Sequence, residues 1–156
     1  MATVDLQAIL AFHAAYADAI DSDALERWPG FFTESCHYRI THVENEREGL
    51  PAGVVWADSR AMLEDRVAAL REANVYERHR YRHLIGAPLV ETADAHGAAA
   101  RSPFMVARIM ASGEMLLFAT GVYRDRFVVE DGQLRLAERV AVCDSTVTDT
   151  LMALPL

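Results

Sequence analysis

The chain has 156 residues with a formal net charge of −8, and it is 52% hydrophobic and 24% charged. A chain of this length buries roughly 70% of its unfolded surface, so we expect one domain over residues 1–156 that needs no disulfide or metal to fold. The negative charge argues against binding to nucleic acid or to an anionic membrane, because both would repel the chain. No run of about 18 apolar residues is present, so no membrane-spanning helix is predicted. The first twenty residues also lack the basic region of a signal peptide, and we expect a cytoplasmic protein.

Two helices are predicted at the start of the chain. Over residues 3–20, apolar side chains recur at three- and four-residue steps and so share one face of an α-helix, with Thr3 as the N-cap. Residues 21–28 predict a second, short helix that Asp21 or Ser22 would cap.

A third helix is predicted after residue 57, with Asp58 or Ser59 as its N-cap and Asn74 near its end. The buried face of this helix would be formed by Leu63, Val67 and Leu70. The preceding segment, residues 41–53, is polar and ends in glycine and proline, so it predicts a loop or a frayed edge.

The second half of the chain predicts strands, because the apolar period changes from 3.6 to 2 after Asn74. Four long runs with this period cover residues 78–91, 97–111, 114–130 and 133–147. Shorter strands are predicted at residues 36–40 and 54–57. Turn sequences such as EDG separate the long runs, as in an antiparallel meander. Helices followed by strands indicate the α+β class, with N-terminal helices packed on a long, curved, mostly antiparallel sheet; such a cone can hold a small ligand at its open end.

The segment YERHRYRHLIG, residues 76–86, contains two histidines four residues apart and so raises the question of a metal site. On a strand, His79, Tyr81 and His83 lie on one face, and residues four apart are separated by about 13 Å. Two imidazole nitrogens bound to one zinc ion lie within roughly 4 Å of each other. We therefore predict that His79 and His83 do not share a metal ion.

The same segment places Arg78, Arg80 and Arg82 on the opposite face of the strand. Three like charges on one face repel each other unless solvent or acidic groups compensate them. The residues leave three interpretations open: a solvated or internally paired face, a docking surface for an acidic partner subunit, or a clamp for a substrate carboxylate. Internal partners would be acids such as Glu64, Glu72 and Glu77.

Three residues are candidates for lining a cavity: His13 and Tyr16 on the buried face of the first helix, and His83 on the strand. An acid/base pair is one interpretation, and hydrogen-bonded core residues are the other. The sequence contains no phosphate-binding glycine loop, no nucleophile elbow and no pair of catalytic carboxylates. The residues alone therefore do not identify a reaction.

Three stretches carry a resemblance to a known family: FHAAYADAIDSDALERWPGFFTESCHYRI at 12–40, YERHRYRHLIG at 76–86 and ERVAVCDST at 138–146. The chain resembles the NTF2-like, or SnoaL-like, superfamily. Within it, the chain is similar to the small (beta) subunits of Rieske non-haem iron aromatic-ring-hydroxylating dioxygenases, and the resemblance extends over nearly the whole chain.

This resemblance implies a chain with no active site and no cofactor of its own. A Rieske [2Fe–2S] cluster and a mononuclear Fe(II) are expected in a large (alpha) subunit, and a separate reductase would supply electrons from NADH. The implied assembly is α3β3 with the beta subunits in contact as a trimer, and its reaction adds both atoms of O2 to an aromatic ring to give a cis-dihydrodiol. On this basis we expect Arg78, Arg80, Tyr81 and Arg82 to contact neighbouring subunits.

The same fold also accommodates free-standing isomerases and dehydratases, and ligand-binding proteins without a cofactor. In a free-standing enzyme, the acid/base set would come from His13, Tyr16, Asp18 or His83. An enzyme of that kind would be active without a partner, whereas a non-catalytic subunit would not.

Overall fold

The computed structural model describes residues 2–51, 53–73, 76–146 and 152–156. The helices are α1 (Leu6–Asp21), a 3-10 helix (Leu25–Phe31), α2 (Val43–Arg47) and α3 (Arg60–Glu72). The strands are β1 (Phe32–His42), β2 (Val55–Ala57), β3 (His79–Ile85), β4 (Leu89–Ala93), β5 (Gly97–Met110), β6 (Met115–Glu130) and β7 (Gln133–Cys143). In the part of the chain described, none of the helices combines the length and the hydropathy that a membrane span requires.

All seven strands belong to one sheet in the order β2-β1-β7-β6-β5-β3, and β4 pairs with β5 beside that path. Neighbouring strands are antiparallel except β1 and β7, which are parallel. Helix α1 packs against β3 and β7, and α3 packs against β1 and β2, so the core lies between these helices and the inner face of the sheet. The predicted α+β class, with helices on a mostly antiparallel sheet, is confirmed.

Helix α1 begins later than predicted. It starts at Leu6, and its N-cap is Asp5 rather than Thr3. The Asp5 side chain accepts a hydrogen bond from the backbone N–H of Ala8 at 2.8 Å, which satisfies one of the unpaired amides at the helix start. The buried face of the helix includes His13 and Tyr16, as the helical period indicates.

The second predicted helix, residues 21–28, is wrong in both position and type. Asp21 is the last residue of α1, and Ser22 is its C-cap. Asp23 then adopts a left-handed backbone with φ of 60°, which separates α1 from the next element. That element is a 3-10 helix over Leu25–Phe31 that contains Pro29. Trp28 in this helix is fully buried.

Helix α3 agrees with the prediction in its N-cap and buried face. The side chain of Ser59 accepts a hydrogen bond from the N–H of Met62 at 3.2 Å, and Leu63, Val67 and Leu70 are the buried residues. Asn74, the predicted end, lies outside the described residues. The predicted loop 41–53 is partly wrong, because it contains the short helix α2, whose N-cap is the His42 side chain.

The meander is confirmed with one interruption. The run 78–91 is two strands, because Gly86 and Pro88 break it after β3. A Cβ at Gly86 would lie 2.7 Å from the side chain of Pro103, so the backbone passes too close for a larger residue. The EDG turn joins β6 to β7 with positive φ at Asp131 and Gly132, as a tight hairpin requires. The last strand ends at Cys143, and residue 147 of the predicted run lies outside the described residues.

Candidate functional site

The centre of the cone contains a buried ion pair. Arg139 on β7 donates hydrogen bonds from Nε and Nη2 to the two carboxylate oxygens of Asp125 on β6, each at 2.8 Å. Both side chains are fully buried. The Arg139 Cζ also lies 4.3 Å from the ring centroid of Tyr16 and 3.9 Å from that of Tyr123. Burial alone would lower the pKa of Arg139, but Asp125 and the two tyrosines raise it above its ordinary value, so the guanidinium stays charged.

His13 is held in one tautomer by this ion pair. Arg139 Nη2 lies 3.1 Å from His13 Nδ1, and an arginine nitrogen can only donate, so Nδ1 is the acceptor. The proton of the neutral ring is therefore on Nε2, which donates to Ser102 Oγ at 2.9 Å. Burial, together with the charge of Arg139, lowers the pKa of His13 to about 3. At neutral pH this histidine is uncharged, and both of its ring nitrogens are engaged.

Residues 152–156 pack into the buried core. All five are buried. The carbonyl oxygen of Leu156 accepts hydrogen bonds from Tyr16 Oη at 2.7 Å and from Tyr38 Oη at 3.0 Å. Tyr38 Oη also lies 3.2 Å from the N–H of Leu156, and Trp28 Nε1 donates to Tyr16 Oη at 3.0 Å. The polar groups of Tyr16 and Tyr38 are thus satisfied by the chain itself.

His83 lies in a second buried pair, at the contact between α1 and β3. Its Nδ1 donates to Asp21 Oδ1 at 2.7 Å, and its backbone N–H donates to Asp21 Oδ2 at 2.8 Å. The His83 side chain is fully buried and that of Asp21 is 4% exposed. Because the Asp21 carboxylate binds both the backbone and the side chain of His83, it fixes the end of α1 to the edge strand β3.

The predicted cavity residues His13, Tyr16 and His83 are therefore core residues with hydrogen-bond partners. Asp18, the fourth candidate for acid/base chemistry, lies on the surface 3.5 Å from Arg27. None of these four residues lines either of two surface grooves in the described part of the chain. The larger groove has a volume of about 410 Å³ and is lined by Trp56 and charged residues of the outer sheet face. Three of the four candidate residues are thus buried and the fourth is exposed, so the described structure does not bring them together as one acid/base set.

Sequence reasoning missed Asp125 and Arg139, which form the most buried polar contact in the cone. One signal was available: Arg139 has the same strand parity as Ala141 and Cys143, which face the core. A charged residue at a core-facing position requires a buried partner. The partner is 14 residues away along the chain, and its identity depends on the register between β6 and β7.

The arginines of the segment 78–82 lie where the strand parity predicts. Arg78, Arg80 and Arg82 are exposed, and Arg82 Nη1 lies 4.0 Å from Asp21 Oδ2. Within the described ranges, no ion pair joins these arginines to Glu64, Glu72 or Glu77. Tyr81 differs from the arginines: it is 1% exposed and stacks on Phe118 inside the core, so it is not on the surface they share. We therefore remove Tyr81 from the candidate contact residues.

Large apolar side chains surround the arginines on the outer sheet face. Leu84 on β3 faces Met105 on β5, and the next pairs along the sheet bring Leu117 and Met115 of β6 beside β5. The exposed fractions are 67% for Leu84, 45% for Met105, 70% for Met115 and 58% for Leu117. We call these four residues the outer apolar patch. An exposed cluster of this kind, rimmed by polar residues, is typical of a protein–protein contact.

The two histidines of the segment 76–86 bind separate partners. His79 Nδ1 lies 2.7 Å from the backbone oxygen of Glu77, and His83 is bound to Asp21. Across residues 2–51, 53–73, 76–146 and 152–156, no group of three or more His, Cys, Asp or Glu side chains is placed to hold a metal ion.

Comparison with known proteins identifies the family. Residues 2–140 match the model of the SnoaL-like domain. The chain is 65% identical over 148 residues to terephthalate 1,2-dioxygenase, terminal oxygenase component subunit beta 1, of Comamonas sp., covering 95% of this chain and 96% of that one. It is 38% identical over 142 residues to the anthranilate 1,2-dioxygenase small subunit of Burkholderia cepacia, covering 90% and 88%.

A solved structure agrees with these relatives. The crystal structure assigned as the beta subunit of an aromatic-ring-hydroxylating dioxygenase from Novosphingobium aromaticivorans superposes with a TM-score of 0.88 at 38% identity, covering 97% of this chain and 96% of that one. The predicted SnoaL-like fold and the predicted family are both confirmed. This chain belongs to the SnoaL-like family and, within it, to the small (beta) subunits of aromatic-ring-hydroxylating dioxygenases.

Proposed function

We propose that the chain is the non-catalytic small subunit of a terephthalate 1,2-dioxygenase and that it supports an iron-containing large subunit in the breakdown of aromatic acids. The observation that carries the proposal is the 65% identity to a terephthalate dioxygenase beta subunit over nearly the full length of both chains. The anthranilate enzyme's small subunit is considerably less similar, at 38%. The substrate class is therefore an aromatic ring that bears carboxylates.

The proposed division of labour places the Rieske [2Fe–2S] cluster and the mononuclear Fe(II) in the large subunit. The two cysteines of this chain support that division. Cys143 on β7 pairs in register with His42 on β1. Cys36 lies six residues before His42 on β1, so the backbones of the two cysteines are about 20 Å apart. Burial raises the pKa of Cys143 to about 11 and also raises that of Cys36, whereas an iron ligand is a thiolate.

The interior of the cone supports a structural role. Of the residues that a free-standing isomerase or dehydratase of this fold would use, His13, Tyr16 and His83 are buried and hydrogen-bonded within the chain, and Asp18 lies on the surface. His13 accepts from Arg139, and Tyr16 donates to Leu156. A substrate entering this space would have to displace buried chain, so we assign the interior to stability.

The outer sheet face supports a role in assembly. We infer that Arg78, Arg80 and Arg82 contact neighbouring subunits in an α3β3 complex, in which the small subunits form a trimer. Arginine suits this role because its planar guanidinium binds carboxylates of a partner in a bidentate manner. A separate reductase would deliver electrons from NADH to the large subunit, and the whole system would operate in the cytoplasm.

Purification of this chain alone and together with a Rieske-type large subunit tests the proposal. Alone, we expect a colourless protein without iron that does not convert terephthalate. Together, with a reductase and NADH, we expect a brown complex that contains iron and converts terephthalate to its cis-dihydrodiol. Turnover of terephthalate by this chain alone would overturn the proposal, as would a fully active large subunit from which this chain is absent.

A further inference from the structure

The two edges of the sheet differ in charge. The strand order places β3 at one edge and β2 at the other. The β3 edge carries Arg78, Arg80 and Arg82, all exposed, and we call this the basic edge. Glu77 and Glu114 are exposed at the ends of this edge, so its positive charge is concentrated at the middle of β3.

The β2 edge carries exposed carboxylates. They belong to β1, to the α2 region and to the residue that follows β2: Glu34, Glu44, Glu48 and Asp58. In the described part of the chain, none of these four carboxylates forms an ion pair. Glu46 of the same region differs, because its carboxylate lies between Arg39 and Arg124 and is paired with both. We call this the acidic edge; Arg47 is its one exposed cation in α2.

Each edge also exposes large apolar side chains. The basic edge adjoins the outer apolar patch already defined. The acidic edge exposes Leu50 by 44%, Val54 by 54% and Trp56 by 49%. Both surfaces therefore combine the two features of a specific interface, apolar side chains for burial and charges that fix orientation.

We propose that the basic edge of one copy docks on the acidic edge of a second copy of this chain, in a head-to-tail contact. The proposal rests on the proposed function, since it states how the small subunits of that complex meet. A head-to-tail interface uses two different surfaces of the same chain, and it generates a closed ring when the rotation between copies closes. Two complementary surfaces at opposite edges of one sheet meet this requirement, and three copies would complete the ring.

Charge explains why this arrangement is needed. Each chain has a net charge of −8, so two copies repel each other at long range. Contact between Arg80 or Arg82 of one copy and Glu44 or Glu48 of the next places opposite charges together within that repulsive field. A contact between two basic edges or between two acidic edges would instead add a local repulsion.

A charge-swap experiment on the full chain tests this pairing, with the mass of the assembly measured by sedimentation velocity at low and high salt. R80E/R82E and E44R/E48R should each weaken self-association about tenfold or more. The quadruple variant R80E/R82E/E44R/E48R should regain self-association, because the charges are exchanged rather than lost. R27E/R126E is the matched control: it makes the same change in charge as R80E/R82E, but on the 3-10 helix and on the interior strand β6, and it should assemble as the unaltered chain does.

Three results would overturn the pairing. The first is an R80E/R82E chain that self-associates normally at both salt concentrations, and the second is a folded quadruple variant that stays as dissociated as the double variants. If the quadruple variant is not folded by circular dichroism, cross-linking decides: a short bis-maleimide should join R82C chains to E48C chains in a mixture but not R82C chains to each other. Absence of the mixed product is the third contrary result.

Failure of the head-to-tail pairing can be distinguished from failure of the proposed function. If R80E/R82E loses the large subunit while its copies remain associated, the arginines bind the large subunit and the head-to-tail pairing is wrong. If the copies pair as proposed but no large subunit binds the chain or gains activity from it, the pairing stands and the proposed function fails.

Discussion

The interior of the cone buries charged and polar side chains, whereas the outer face of the sheet exposes large apolar ones. Inside, charged and polar side chains such as Arg139, Asp125 and His13 are buried and engaged with one another. Outside, Leu84 and Met115 are largely exposed beside Arg78 and Arg80, for which no ion pair was found among the described residues. Buried charged groups that bind one another indicate a structural core, whereas exposed apolar side chains beside arginines are typical of a protein–protein contact surface.

The largest effect is expected from breaking the central ion pair. Asp125→Asn leaves the charge of Arg139 buried without its partner, and removal of one member of a buried pair costs about 3–5 kcal/mol of folding free energy. Denaturant unfolding of the purified chain measures this loss. The control is Asp65→Asn on the exposed face of α3, for which we expect a change within about 0.5 kcal/mol. Equal midpoints for the two variants would contradict the structural role of the pair.

A smaller loss of folding free energy is expected from removing the hydrogen bond between Tyr16 and Leu156. Tyr16→Phe leaves the Trp28 indole N–H without its acceptor and Leu156 with one donor fewer, at a cost of about 1–3 kcal/mol. Tyr123→Phe is the matched control, because the buried Tyr123 hydroxyl has no hydrogen-bond partner in the described chain. We expect Tyr123→Phe to leave thermal stability nearly unchanged. A Tyr123 variant as unstable as the Tyr16 variant would contradict the assignment of this stability to the hydrogen bonds of the Tyr16 hydroxyl.

The pH dependence of stability follows from His13. Its pKa is lowered to about 3 in the folded chain from 6.5, so below pH 6.5 the unfolded chain binds a proton that the folded chain does not. Stability from this residue is present above pH 6.5 and is lost as the pH falls towards 3, by about 1 kcal/mol between pH 6.5 and 5.5. Urea unfolding at these pH values should give a smaller loss for His13→Gln, whereas His96→Gln at an exposed turn should keep the slope of the unaltered chain.

The smallest effect on stability is expected on the outer face. Leu117→Ser and Met115→Ser change residues that are more than half exposed, so the isolated chain should lose no more than about 0.5 kcal/mol. The same changes should reduce assembly, because they remove apolar area from a contact surface. Val106→Ser, at a fully buried position on β5, is the opposite control and should destabilise the isolated chain strongly. Unaltered assembly of both outer-face variants would remove this face from the subunit contacts.

The spacing of apolar residues along the chain was sufficient to predict the long helices and strands. The 3.6-residue period located α1 and α3, and the change to a period of two located the meander. This spacing was insufficient where the backbone conformation of one residue or the identity of one capping residue sets a helix boundary. Asp23, in a left-handed conformation, converted a predicted α-helix into a break and a 3-10 helix, and the Asp5 carboxylate placed the start of α1 three residues later.

The interior of the cone could not be predicted from the sequence, because its contacts join distant residues. Asp21 was predicted as a helix cap, but the fold places it against His83, 62 residues later, as a buried hydrogen-bond acceptor. Leu156 reaches Tyr16 across 140 residues. The outer face was easier, because strand parity alone separates Arg80 and Arg82 from Tyr81 and His83.

The turnover rate per iron of an assembled oxygenase that contains the His13→Gln chain tests the account most directly, because it asks whether the interior of the cone takes part in the chemistry. The rate is compared, at equal iron content and equal complex mass, with the rate of the complex that contains the unaltered chain. We expect equal rates per iron, with any loss confined to the yield of folded chain. A fully assembled, fully iron-loaded complex that turns over terephthalate much more slowly would contradict the account and assign the interior a part in the reaction.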